Sequence, residues 1–109
     1  MRNVVWLATD VHHARLLRYE PGGLVFHEFV AGPASAITLT PGPLSRTFGP
    51  IELYARGRRP NPARPSFFSF GYLRIAADGR LTVEIRDAEG AVVPDDRGRP
   101  GALTLLPAR

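Results

Sequence analysis

Three residues near the N-terminus have side chains that could do chemistry: Asp10, His12 and His13, in the stretch NVVWLATDVHHARL (residues 3–16). In an extended backbone, side chains two apart point the same way. Asp10 and His12 would then converge on one point just beyond the apolar run that precedes them. A carboxylate and an imidazole together suit zinc, manganese or iron, with the second imidazole nitrogen held by a nearby acceptor. His13 faces the other way on this reading, to support a ligand from behind, meet a substrate or lie in solvent. Two ligands do not hold a catalytic metal, which takes three protein ligands and an open position. The same residues also fit polar side chains where a strand leaves the core, and spacing alone does not separate the two. The third histidine, His27 in LVFHEFV, reads as a strand residue meeting Glu28 or solvent. No H-E-x-x-H, G-x-S-x-G or phosphate-binding glycine loop is present.

The elements that must position these residues read as strands. VVWLA (4–8) is a continuous apolar run, β-branched at its start, and is expected to be buried on both faces. ARLLRYE (14–20) is ambiguous between a helical turn and a strand, PGG (21–23) is a turn, and LVFHEFVA (24–31) is a strand. From 32 to 66 the character changes to a Pro/Gly-rich loop holding most of the chain's eleven prolines. Proline removes a backbone donor and holds its predecessor extended, so neither a long helix nor a central strand fits there. In the C-terminal part, FGYLRIA and RLTVEIR flank ADG and alternate with period two. Leu73 and Ile75 share one face, as do Leu81, Val83 and Ile85, with Arg74, Thr82, Glu84 and Arg86 opposite. DAEG (87–90) makes a second turn, so a hairpin or meander spans 67–93. PDDRGRPG (94–101) reads as a linker before a last strand, ALTLL. No sustained helical periodicity appears, and the fold class is mainly β.

At 109 residues the chain is one small domain or part of one. No apolar run is long enough to span a membrane, and no export signal is legible ahead of Asp10. The absence of cysteine rules out disulfides and thiolate metal sites. A formal charge of +4 would ordinarily raise nucleic acid as a partner. All fourteen basic residues are arginine, however, a compositional bias that weakens that signal. Arg56, Arg58 and Arg59, in RGRRPNPAR, could contact phosphate or another polyanion, although basic Pro-rich loops are usually just solvated. The aromatics of PSFFSFGY read as core rather than as a base-stacking platform, and nucleic acid is not expected as a partner.

The order of segments resembles the C-terminal part of the alkaline phosphatase D family, within the calcineurin-like metallophosphoesterases. The resemblance rests on an apolar strand running into ATDVHHA, then RYEP, HEFVAGPASA and RTFGP, and finally FFSFGYLRI with GRLTVEIRDAEGAVV. It covers nearly the whole chain and is specific in combination rather than in any single motif. It implies that residues 1–109 are a partial domain, the C-terminal fragment of an α/β/β/α sandwich, with Asp10 and His12 as metal ligands. It also implies hydrolysis of phosphate monoesters and diesters at an iron-centred site that can hold calcium, in enzymes that are usually exported. The family's upstream ligand blocks are missing here. The chain is therefore expected to be inactive alone, and an upstream fragment of the same enzyme would be its partner. From the residues alone, the competing reading is a small β-rich binding module that touches a polyanion or a partner protein through its arginine-rich loop.

Overall fold

The computed structural model describes residues 4–9, 11–57 and 68–107. Within them the chain forms strands β1 (Val4–Ala8), β2 (Ala14–Tyr19), β3 (Phe26–Ala31), β4 (Ile51–Arg56), β5 (Phe70–Ile75), β6 (Leu81–Arg86) and β7 (Ala102–Leu105). A 3-10 turn at Pro21–Gly23 joins β2 to β3. The chain is mainly β, and the ambiguous segment 14–20 is a strand because pairing on both sides satisfies its backbone. Among the described residues no helix is long and apolar enough to cross a membrane.

The strands make two sheets. One is mixed, in the order β1-β3-β2-β4, with β1 parallel to β3 and the other pairs antiparallel. The other is an antiparallel meander, β5-β6-β7. Each sheet turns one apolar face toward the other, and these faces pack together. Ala14, Leu16, Phe29 and Tyr54 from the first sheet meet Val83 and Ile85 from the second, with Val93 beside them. The expected faces of 81–86 hold: Leu73 pairs with Val83 and Ile75 with Leu81, while Arg74 and Thr82 share the opposite face.

Three turns in the C-terminal part share one geometry. In 76–80, 87–91 and 95–99 the first residue's N–H bonds the fifth residue's carbonyl at 2.9 Å. The fourth residue of each is a glycine at positive φ: Gly79, Gly90 and Gly98. This is the type I turn followed by a left-handed glycine that closes hairpins with native twist. The third turn corrects the expectation of a linker at 94–101. The line pairing with β6 is interrupted after Val92–Val93 and resumes at Gly101, whose carbonyl accepts the Ile85 N–H. The intervening turn folds onto the outer edge of β4. There the Asp95 carboxylate accepts the Ala55 N–H, the Asp96 N–H donates to the Ala55 carbonyl, and Arg99 Nη1 donates to the Glu52 carbonyl.

Two other expectations are corrected. The segment 32–66 is not loop throughout, because it contains β4. IELYAR has neither proline nor glycine, and one β4 edge pairs with β2 while the other is closed by the 95–99 turn. The β1 strand is not buried on both faces: Trp6 and Leu7 are each 62% exposed. It sits at the end of its sheet with β3 as its described neighbour, and the two sheets part beside it. An apolar cleft of about 190 Å³ lies there, lined in part by Leu7, Phe29 and Leu73.

Candidate functional site

The apolar strand β1 delivers the chain to a corner at Val11–His13, and the corner is not extended. The His13 N–H bonds the Val11 carbonyl at 2.7 Å, closing a three-residue turn. The two-apart convergence of Asp10 with His12 assumed an extended backbone, which this bend replaces at 11–13. Asp10 itself lies outside the described residues. The corner is tied to the long loop, where the Leu39 N–H bonds the His12 carbonyl at 2.6 Å.

His12 and His13 have different surroundings. The His12 Nδ1 is buried with no hydrogen-bond partner among the described residues. Burial lowers the His13 imidazole below its ordinary value, the Arg15 guanidinium adds to this, and Glu52 partly opposes both. His13 is therefore a neutral imidazole at neutral pH, able to accept at one nitrogen and donate at the other. His27 lies on the core side of its strand, opposite to Glu28 by alternation, and is likewise lowered by burial and then by Arg18.

The described histidines do not by themselves complete a metal centre. Among the described residues no group of three or more His, Cys, Asp or Glu side chains could hold a metal ion. His12 and His13 supply at most two imidazoles, short of the three protein ligands that a catalytic metal takes. No catalytic step through a metal follows from this set. Arg56 stands half-buried at the end of β4, opposite Ala14, rather than in a solvated loop. Arg58 and Arg59 lie outside the described residues.

Next to the corner is a polar network that the sequence reading missed. Arg15 is 8% exposed. Its Nε and Nη2 donate to Glu52 Oε2 at 3.1 and 2.8 Å, and its Nη1 donates to the Gly42 carbonyl at 3.0 Å. Arg99 reaches the same carboxylate from the other side, Nη2 to Glu52 Oε1 at 2.9 Å, while its Nε donates to Asp95 Oδ2 at 2.7 Å. Glu52 can take part only because β4 is irregular. Glu52 and Tyr54 are two apart, so plain alternation would place both in the core. The register shift opposite Leu16/Leu17 turns Glu52 to the loop side instead. The network borders an open pocket of about 380 Å³ under the loop residues Pro41–Leu44. The D-x-x-G spacing of Asp95 and Gly98, shared with Asp87 and Gly90, was the available signal for the turn that supplies Asp95 and Arg99.

A second group lies on the same face of the first sheet. Tyr19 and Phe26 are cross-strand partners whose rings stack at 4.6 Å and 5°, and Trp6 stands 6.2 Å from Phe26, tilted by 31°. Glu28 is the register partner of Trp6, and its Oε2 accepts the Tyr19 hydroxyl at 2.7 Å. With Phe48 from the loop, these residues line a pocket of about 300 Å³. Comparison of the chain with protein-family models, curated proteins and solved structures found no match.

Proposed function

We propose that this chain is the C-terminal portion of an alkaline phosphatase D-like metallophosphoesterase, hydrolysing phosphate monoesters and diesters only in the complete enzyme. The observation that supports it is β1. An apolar strand paired in parallel with β3, with Trp6 and Leu7 exposed, suits a strand from inside a wider mixed sheet. On this reading the two packed sheets would be the inner layers of an α/β/β/α sandwich. Asp10 and His12 would contribute ligands to a metal site of iron, with calcium, completed by upstream blocks. The metals would polarise the phosphoryl group and supply the hydroxide nucleophile. The chain's own part would be to hold His12 at the corner through Leu39 and to keep His13 neutral beside it.

The test is to translate the DNA upstream of the Met1 codon in all three frames. Ligand blocks of the family are expected there. In the restored enzyme, chelator, Asp10→Ala and His12→Ala should each abolish phosphatase activity, while the 109-residue chain alone turns over neither monoester nor diester. Unrelated upstream sequence, or an enzyme indifferent to both substitutions, refutes the proposal.

A further inference from the structure

The pocket on the outer face of the first sheet has an unusual lining. Trp6, Tyr19, Phe26 and Phe48 supply four aromatic rings, Glu28 supplies one carboxylate, and no basic side chain among the described residues lines it. Trp6 and Phe48 are 62% and 61% exposed, so these rings stand at the surface and not in the core. Tyr19 and Phe26 stack and turn one face each toward the other, Trp6 stands tilted 6.2 Å from Phe26, and Phe48 joins from the loop.

The exposed faces of Trp6 and Phe48 and the Glu28 carboxylate favour a cation here, and the Arg15 guanidinium opposes them at Tyr19. The face of an aromatic ring is the negative end of its quadrupole and attracts a cation placed over it. Glu28 adds a formal negative charge at the same place, and its described polar contact is the Tyr19 hydroxyl. Burial, followed by that bond to Glu28, pushes the Tyr19 phenol up to about 12, so it remains a donor at neutral pH. A volume of about 300 Å³ is at the small end of ligand pockets. A primary ammonium would lose strong hydrogen bonds to water on entering so apolar a space, whereas a methylated one has none to lose.

We propose that the Trp6–Tyr19–Phe26–Phe48 pocket, with Glu28, binds a small soluble quaternary ammonium ion. The proposal takes this sheet face as free, where the phosphoesterase reading would have it covered by further elements, and it is tested on this chain alone. Trp6 is the chain's single tryptophan, so its fluorescence reports on the site directly. The experiment titrates the 109-residue chain at constant ionic strength with choline, with tetramethylammonium, and with 3,3-dimethyl-1-butanol, the neutral isostere of choline.

Both cations should give a saturable change, with the neutral isostere roughly fivefold or more weaker, as a cation–π contribution of this size requires. Glu28→Gln should weaken choline by about tenfold, as loss of an ion pair in a partly dry site does, and leave the isostere unchanged. It retains an oxygen for the Tyr19 hydroxyl, and far-UV circular dichroism checks that it folds. Phe48→Ala, at an exposed loop position, should weaken both cations without altering the fold. Equal affinity for choline and its isostere would make this a plain apolar pocket and refute the proposal. No saturable response to either cation would also refute it. So would a response to phosphatidylcholine vesicles without one to free choline, which would mark a membrane contact instead.

Discussion

Asp95→Asn removes a charge and an acceptor while nearly preserving shape, so it isolates what this carboxylate does for the fold. The Asp95 side chain is 0% exposed. Its Oδ2 accepts from the Ala55 N–H at 3.0 Å and from Arg99 Nε at 2.7 Å, and its Oδ1 accepts from the N–H groups of Arg97 and Arg99 at 2.9 and 2.7 Å. An amide has one oxygen, so whichever way it turns, its NH₂ meets two donors. With the NH₂ toward β4 the fully buried Ala55 N–H loses its acceptor and water cannot replace it, and with the NH₂ toward the turn the Arg97 and Arg99 N–H groups lose theirs. A buried unsatisfied donor costs about 1–3 kcal/mol, and loss of a charged hydrogen bond costs a similar amount. Because Arg99 is partly exposed and keeps Glu52, the second cost is discounted, leaving a total of about 3 kcal/mol. At a urea slope of about 1.5 kcal/mol/M this moves the unfolding midpoint down by roughly 2 M. Far-UV circular dichroism is the suitable probe, since the single tryptophan is exposed.

The same variant carries a pH signature. Burial of Asp95 opposes its ionisation, but the Ala55 and Arg99 N–H groups and the Arg99 guanidinium outweigh it and hold the carboxyl below its ordinary range. A depressed carboxyl contributes stability above its unfolded value, about pH 4, and that contribution is lost as pH falls through the folded value. The gap between the parent chain and Asp95→Asn should therefore be full at pH 7 and narrow below about pH 4. A midpoint shift under about 0.3 M at pH 7, or a gap that stays constant into strong acid, would refute the account of the 95–99 turn as a clamp on β4.

Further predictions concern the core, the histidines and the exposed strand β1. Gly101→Ala would place a Cβ 2.3 Å from the Val93 carbonyl and 3.2 Å from the Tyr54 ring, so it should destabilise by about 1–3 kcal/mol in urea. A neutral result would mean that Gly101 does not pack this closely against Val93 and Tyr54. His13 and His27 are both lowered by burial, so they favour the folded state when neutral, and their contribution declines as pH falls below about 6.5. Imidazole titrations by NMR should show both midpoints below that value, and a midpoint above it for either would contradict its burial. The exposed apolar β1 predicts concentration-dependent association in the ultracentrifuge, and Leu7→Glu should reduce it while changing stability by less than about 1 kcal/mol. Unchanged association would show that the β1 edge does not drive it.

Period-two alternation and turn chemistry are local properties, and they made part of this protein legible in its sequence. Val83 and Ile85 had to share a face, Asp87–Gly90 had to turn, and VVWLA had to be extended, because side-chain direction and glycine's left-handed conformation depend on neighbouring residues alone. The candidate corner was legible only as residue types, since the turn between Val11 and His13 depends on its tie to Leu39. Tertiary structure decided which strands became neighbours. The parallel pairing of β1 with β3 sets Trp6 beside Glu28, and the shift in register between β2 and β4 turns Glu52 away from the core. The loop then brings Phe48 to three aromatics from separate strands. Register and loop path are set by contacts between residues far apart in the chain, and no local pattern encodes them.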